Sequence, residues 1–480
     1  LTTTHDIVGK LWNLCHVLRD DGITYHEYVS ELTWLLFLKM AEETGTEHRL
    51  PAGWRWADLA SKDGLAQLTF YRQQLLHLGT EGQGAVQAIY ANASTSLRQP
   101  RNLAKLIENI DQLDWYSARQ EGLGDLYEGL LEKNAAEKKS GAGQYFTPRP
   151  LIECMVDLMK PQPREVVQDP AAGTGGFLVM ASRYVKARTD DLFDLPEQLQ
   201  LFQRQQAYIG MELVPDTHRL LLMNMMLHDV DGPMLLGDTL SPAGQQIPPA
   251  DLILTNPPFG TKTGGGRPTR DDFTHVTGNK QLAFLQHIYR GLKPGGRAAV
   301  VLPDNVLFES GIGQKIRADL MDKCNLHTIL RLPTGIFYAQ GVKTNVLFFT
   351  RGETDRGNTE AVWVYDLRTN MESFGKRNPL TLKHFAEFME AYGDDPNGTS
   401  EREDLGEDGR FRRWSREEIA KRGDNLDLTW LRDDSIERAE DLPEPEAVAA
   451  EILEHLRVAM EEMEALADIL SGDANVEVSA

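Results

Sequence analysis

Apolar residues recur every three to four positions through the first 140 residues. Ile7, Leu11, Leu14 and Leu18 share one helical face, and Tyr28, Leu32, Leu35, Leu36 and Met40 share another. Such spacing lays a stripe along one side of an α-helix. Pro51 and Gly53 interrupt it, and amphipathic segments resume at 65–78, 103–113 and 125–137. The pattern predicts an all-α N-terminal domain, residues 1–140, with no chemistry of its own. From residue 166 the period changes. Short apolar runs end at Asp169, Glu212, Asp238 and Asn256, with helical stretches between the first three of them, one of these at 217–228. A helix at 282–292 and a tight turn, Lys293-Pro-Gly-Gly296, lead into further strands at 297–303, 326–330, 345–349 and 362–365. Strands alternating with helices predict an α/β domain on a Rossmann-like, doubly wound sheet, residues 141–380. Beyond it the composition turns polar. A surface loop at 393–409 and a short ordered patch at 425–430 precede a helical tail from Glu446 to Leu470, completing a C-terminal region of 381–480. In that tail Ile452, Leu456, Ala459, Met463, Leu466 and Leu470 form a coiled-coil-like seam of under three heptads, suited to subunit assembly ahead of folding back on the same chain.

Charge changes the picture of the partners. The net charge is −22, which argues against a protein that grips DNA by itself. The distribution matters more. From residue 381 onward 28 acidic residues face 11 basic ones, so the first 380 residues carry only −5. The central part is near neutral and can face a polyanion, but duplex affinity is expected to come largely from a partner. Hydrophobic content of 41% and charged content of 25% fit a soluble globular chain of 480 residues, and no apolar run reaches the roughly 20 residues that cross a bilayer. The opening Leu1-Thr-Thr-Thr-His-Asp6 lacks a basic region followed by an apolar stretch, so no signal peptide is expected. Cys15, Cys154 and Cys324 are far apart and show no metal or redox spacing; they fit a reducing cytoplasm.

The candidate chemistry gathers at strand ends. Asp251-Leu-Ile-Leu-Thr-Asn-Pro-Pro-Phe259 is a buried strand stopped by two prolines that cannot donate to a ladder. The carboxyl end of such a strand is where open α/β sheets bind ligands. An exocyclic amine on a heteroaromatic ring, such as N6 of adenine, is a poor nucleophile because its lone pair is delocalised. Two acceptors on its two N–H bonds draw it towards a tetrahedral shape, and the Asn256 side-chain oxygen and the Pro257 carbonyl suit that task. Phe259 can stack on the ring once the base leaves the duplex. By itself the same tetrapeptide also reads as an ordinary strand-to-loop turn.

Further upstream, Gly173, Gly175 and Gly176 allow close backbone approach after the strand that ends at Asp169. Gly-x-Gly-Gly departs from both dinucleotide and P-loop spacings. Glu212, at the next strand end, can accept both ribose hydroxyls of an adenosine, and Asp238 is placed to bond an adenine amino group. Before the sheet, a loop made mobile by Gly141 and Gly143 reaches Thr147, read as a helix N-cap, and Pro148, read as the first helical turn. Residues 260–280 form a long loop carrying Lys262, Arg267, Arg270 and Lys280, which suits contact with DNA or plain disorder equally.

Taken together, Gly143-Gln-Tyr-Phe-Thr-Pro-Arg-Pro150, Gln168-Asp-Pro-Ala-Ala-Gly-Thr-Gly-Gly-Phe177, Thr255-Asn-Pro-Pro-Phe-Gly260 and Val342-Lys-Thr-Asn-Val-Leu-Phe-Phe349 resemble the modification (M) subunit of type I restriction-modification systems, within the S-adenosylmethionine-dependent N6-adenine DNA methyltransferases. The resemblance spans nearly the whole chain. Departures are the doubled glycine at Gly175-Gly176 and a shorter tail. It implies that the sheet is a methyltransferase sheet. It implies a cofactor site at Gln144, Tyr145, Phe146, Thr147, Pro148 and Arg149, with Gly173, Thr174, Gly175, Gly176 and Glu212, and with Asp169 and Asp238 as further contributors. Catalysis is implied at Asn256, Pro257, Pro258 and Phe259, with no metal. The implied partners are DNA, a specificity (S) subunit shared by two M chains, and restriction (R) motor-nuclease subunits; no membrane is involved. Methylation of a protein glutamine amide also uses an Asn-Pro-Pro turn, but those enzymes usually place Tyr after it and lack this helical front. A catalytically idle assembly module would have lost the glycine turn or Asn256, and both are intact.

Overall fold

The computed structural model describes residues 9–10, 25–115, 147–259, 270–337, 342–372, 374, 378–433 and four helical positions between 453 and 460. The predicted seam at 7–18, the helix at 125–137, residues Gln144, Tyr145 and Phe146, and most of the C-terminal seam lie outside them. The N-terminal part is helical: α1 Tyr25–Glu43, α2 Trp56–Ala60, α3 Gly64–Glu81, α4 Ala85–Tyr90 and α5 Pro100–Asp111. Their apolar stripes meet in one core that includes Leu35, Leu36, Met40, Tyr71, Leu75, Leu106 and Ile110. Polar groups in that core are paired. Glu31 takes the Ser96 N–H at 2.6 Å and the Tyr71 hydroxyl at 3.0 Å, and burial pushes its carboxyl pKa up. The Trp56 indole donates to Asp111 at 2.9 Å, tying α2 to α5.

A nine-stranded sheet follows. Its elements are α6 Arg149–Met159, β1 Val167–Asp169, α7 Gly176–Ala187, α8 Glu197–Gln205, β2 Tyr208–Glu212, α9 Pro215–Leu227, β3 Met234–Leu236, α10 Pro242–Gln245, β4 Ala250–Thr255, α11 Lys280–Gly291, β5 Leu292–Pro303, α12 Asn305–Phe308, α13 Ile312–Lys323, β6 Cys324–Arg331, β7 Thr344–Arg351, β8 Ala361–Asp366, α14 Ala386–Tyr392, β9 Phe411–Ser415 and α15 Arg416–Lys421. The order is β3-β2-β1-β4-β5-β7-β6-β8-β9. Strands β1 to β5 are parallel, and β7 enters antiparallel between β5 and β6. One face buries Leu151, Leu178, Leu252, Leu254 and Phe348; the other buries Ile253, Leu285, Val300, Ile329 and Phe349. The strands are covered on both sides, which is why they read as continuous apolar runs.

One expected turn is kept and two elements are added. Lys293-Pro-Gly-Gly296 forms the expected tight turn as a bulge inside β5, with Gly295 at φ +74°. Residues 293–296 pair with neither neighbour, because the β4 register passes from Ala250↔Leu292 to Leu252↔Arg297 and pairing with β7 starts at Arg297↔Thr350, so Pro294 interrupts no ladder. The register shifts opposite 250–252, and a Cβ on Gly296 would come within 3.0 Å of the Ala250 carbonyl oxygen. Strand β9 was not predicted. Phe411-Arg-Arg-Trp-Ser415 carries too much charge to show an apolar run, yet Phe411 packs on Trp363 and Tyr365 of β8, with ring centroids 4.9 and 5.8 Å away. Between α7 and β2 the chain also forms a second helix, α8 Glu197–Gln205. Among the described residues no helix is long and apolar enough to cross a membrane, and no cluster of potential metal ligands occurs.

Candidate active site at the switch point of the sheet

Strand β1 pairs with β2 on one side and β4 on the other. The chain therefore winds outward in both directions from β1, and a crevice opens at the carboxyl ends of β1 and β4. Two of the predicted segments leave the sheet there, the glycine turn from β1 and Asn256–Phe259 from β4.

The glycine turn is held from within. Ala172 N–H donates to the Met211 carbonyl at 2.9 Å and Gly175 N–H to the Ala172 carbonyl at 2.8 Å. Gly173 and Gly175 adopt φ of +55° and +88°, a region that L side chains rarely enter. The two glycines serve different needs. A Cβ on Gly173 would meet nothing within 4 Å, so this edge of the turn is open. A Cβ on Gly175 would lie 2.7 Å from Leu221 Cδ1 and 3.1 Å from Met225 Sδ, and one on Gly176 would lie 2.9 Å from Ile152 Cδ1. Those two let the helices close behind the turn.

Acidic groups brace it. Glu212 ends β2 and accepts the Gly173 N–H on Oε2 at 3.0 Å and the Val214 N–H on Oε1 at 2.8 Å. Burial raises its pKa, against the lowering effect of these N–H bonds. Asp238 is exposed one strand further out, where Gly237 N–H donates to the Glu212 carbonyl at 2.9 Å. Asp169 lies beneath the turn, 1% exposed. Its Oδ1 accepts the Thr255 hydroxyl at 2.6 Å and the Ala171 N–H at 3.0 Å. Burial pushes its pKa up to about 7, opposed by those two bonds and assisted by the Glu212 charge. The carboxyl ends of β1 and β4 are thus bridged by one carboxylate.

On β4 the Asn256 Nδ2 donates to the Thr147 hydroxyl at 2.9 Å. Thr147 does not cap a helix. Helix α6 starts at Arg149, Pro148 occupies the cap position, and no side chain caps it. The hydroxyl faces the Asn256 amide instead, which sequence spacing across 109 residues could not reveal. Pro257 is buried, Pro258 exposed and Phe259 7% exposed. Phe259 meets the Phe337 ring edge-on, centroids 5.9 Å apart. Phe337 belongs to Pro333-Thr-Gly-Ile-Phe337 after β6, and nothing in the local pattern marks it as a neighbour of the tetrapeptide. With strands about 4.8 Å apart, Glu212 and Asn256 stand roughly 10 Å apart across β1.

The loop after Phe259 also departs from expectation at its far end. Arg270 does not reach outward as a basic loop residue. It is 8% exposed, donates to both oxygens of Asp272 at 2.6 Å and to the Thr239 carbonyl at 3.0 Å, and lies over the Phe273 ring. Beside it burial and the guanidinium bring the His287 pKa down to about 3, so that imidazole stays neutral.

The strand order β3-β2-β1-β4-β5-β7-β6 with β7 reversed, a glycine turn after β1, an acid after β2 and Asn-Pro-Pro-Phe after β4 define an α/β methyltransferase acting on amino nitrogen. Comparison with known proteins carries this further. Residues 118–438 match the family described as N-6 DNA Methylase, and residues 7–110 match the HsdM N-terminal domain. The chain is 54% identical to the type I restriction enzyme EcoKI methylase subunit of Escherichia coli K12, over 96% of this chain and 94% of that protein. The crystal structure of the EcoKI M protein (EC 2.1.1.72) superposes with a TM-score of 0.59 at 49% identity, covering 97% and 96% of the two chains. A structure from a study of complex assembly and conformational transition in a type I R-M system gives 0.72 at 30% identity, covering 98% and 99%. The chain belongs to this family: it is an adenine-specific DNA methyltransferase, the methylase subunit of a type I restriction-modification system.

Proposed function

We propose that this subunit uses S-adenosylmethionine to methylate N6 of an adenine turned out of the duplex, at a site selected by a specificity subunit, and so protects host DNA from restriction. The observation that carries the reading is the placement of Asn256 beside the glycine turn, with its amide nitrogen committed to Thr147. The pocket residues fit the cofactor. The open edge at Gly173 leaves room for a ligand against backbone, Glu212 stands at the end of β2 where ribose hydroxyls can donate to it, and exposed Asp238 lies one strand beyond. Thr174, Gly175 and Gly176 shape the turn, and Thr147 bonds Asn256 at the same crevice. Asp169 acts from below, by fixing the turn against Thr255.

When bound, S-adenosylmethionine supplies a methyl group on a positively charged sulfur. The chain's own task is then positioning and drying. With Nδ2 bonded to Thr147, the Asn256 Oδ1 faces away from that hydroxyl and accepts one N6–H, while the Pro257 carbonyl accepts the other. These two bonds draw the N6 lone pair out of the ring plane. Pro258 stiffens the turn, and Phe259, backed by Phe337, offers a ring for the extruded base. Two such chains with one specificity subunit, joined by restriction subunits, form the assembly in which this occurs, and the C-terminal helical tail contributes to joining them.

Asn256→Ala tests the assignment. Methyl transfer to cognate DNA, measured with the specificity subunit present, is expected to fall by about a thousandfold or more, with the cofactor Kd within about threefold of the parent chain. Transfer at the parental rate would remove Asn256 from the reaction.

A further inference from the structure

Helix α9 is loaded on both faces. It begins just after Glu212, and the Val214 N–H that precedes it donates to the Glu212 carboxylate at 2.8 Å. In its last turn, Asn224 is 1% exposed and donates its Nδ2 to the Thr174 carbonyl at 2.9 Å. Leu221 and Met225 flank it and close on Gly175. The opposite face points into the helical domain. Met223 and Met226 are part of that domain's core, with Leu220, Leu222 and Leu227 packed against it. Arg219 donates to the Ala91 carbonyl at 3.1 Å and its guanidinium lies 5.7 Å from the Trp34 ring centroid. Just past α9, Asp231 receives both terminal nitrogens of Arg49 at 2.7 and 2.8 Å.

The peptide between Thr174 and Gly175 is therefore held at both ends, its oxygen by Asn224 and its N–H by the Ala172 carbonyl. Rotating it would break one bond or the other. One helix thus grips the glycine turn at Thr174 and the β2 acid at Glu212, and packed interiors transmit displacement rather than absorb it. We propose that Asn224 is a positioning residue for the cofactor turn, and that α9 makes cofactor affinity depend on how the N-terminal helical domain is seated. This rests on the reading that the turn and Glu212 hold S-adenosylmethionine.

The test titrates S-adenosylmethionine into the full chain by calorimetry and measures methyl transfer with the specificity subunit present. Asn224→Leu keeps the bulk and removes the donor to the Thr174 carbonyl. Its cofactor Kd and KM are expected to rise about tenfold, with kcat at saturating cofactor within about twofold. Asn224→Ala, which also removes the donor, should raise Kd at least as far. Arg219→Ala, on the outer face, should raise Kd about threefold, and the double variant should fall short of the product of the two effects because both act through α9. A merely structural Asn224 would lower Tm and leave Kd alone, and that result overturns the positioning role. Independent, multiplying effects of Arg219 and Asn224 overturn the relay. Glu212→Ala separates the two levels. If it binds cofactor like the parent chain, the pocket reading fails; if it loses binding while Asn224→Leu retains it, only the present inference fails.

Discussion

Asp169 illustrates how one buried group can brace two strand ends. Its carboxylate joins Thr255 on β4 to Ala171 in the glycine turn, at 2.6 and 3.0 Å, so the Asn256 side and the glycine-turn side of the crevice share one anchor. Holding a carboxylate there costs hydration, and burial raises its pKa from 3.8 to about 7. An acid whose folded pKa is raised favours the folded state below the unfolded value. That contribution is lost as pH climbs through the folded value. Asp169→Asn keeps the shape without the charge. Its stability relative to the parent chain is expected to increase between about pH 4 and pH 7, by roughly 2–4 kcal/mol. Urea unfolding at pH 5 and pH 8 reads this directly, and a difference that does not change with pH would refute it.

At the level of elements, the turn between β1 and α7 works because two packed helices press on it from behind. Gly175 has φ +88° and no room for a methyl group against Leu221 and Met225. Gly175→Ala is expected to cost about 2–4 kcal/mol, from backbone strain and overpacking together, and to weaken cofactor binding. Gly173→Ala shares the strained φ but meets open space on its own chain, so it should cost about 1–2 kcal/mol in stability. Its effect should fall more heavily on cofactor affinity, because the added methyl projects into the crevice. Thermal melts and cofactor titrations of the two variants test this. Equal loss of stability at both positions would show that the packing behind Gly175 is unimportant.

Across the whole molecule, the helical domain, the sheet and the acidic C-terminal region divide the labour. The first 380 residues are close to neutral and the last hundred carry a net −17, so the chain brings no excess of positive charge with which to neutralise phosphates. Arg270, one of the basic residues after the tetrapeptide, is consumed by Asp272. We expect the isolated chain to bind cofactor and to methylate little duplex, and site-specific transfer to appear when the specificity subunit is added. Robust site-specific methylation by the chain alone, followed by labelled methyl incorporation, would contradict this division.

The linear order of residues determined the helical front, the alternation of strands and helices, and the chemistry of the strand ends, because each rests on local period or on the properties of one residue type. Glycines able to bend after β1, prolines that stop β4, and an amide beside them are visible without coordinates. Tertiary structure alone decided what is non-local. It set β7 antiparallel between β5 and β6, admitted the arginine-rich β9 to the sheet edge through Phe411, and placed the Lys293–Gly296 turn as a bulge inside β5. It also took Thr147 from an expected cap to the Asn256 amide, brought Phe337 against Phe259, and set Asn224 under Thr174. These partners lie tens to over a hundred residues apart. Which of them meet depends on the order in which strands pack about β1, and no periodicity in the chain encodes that order.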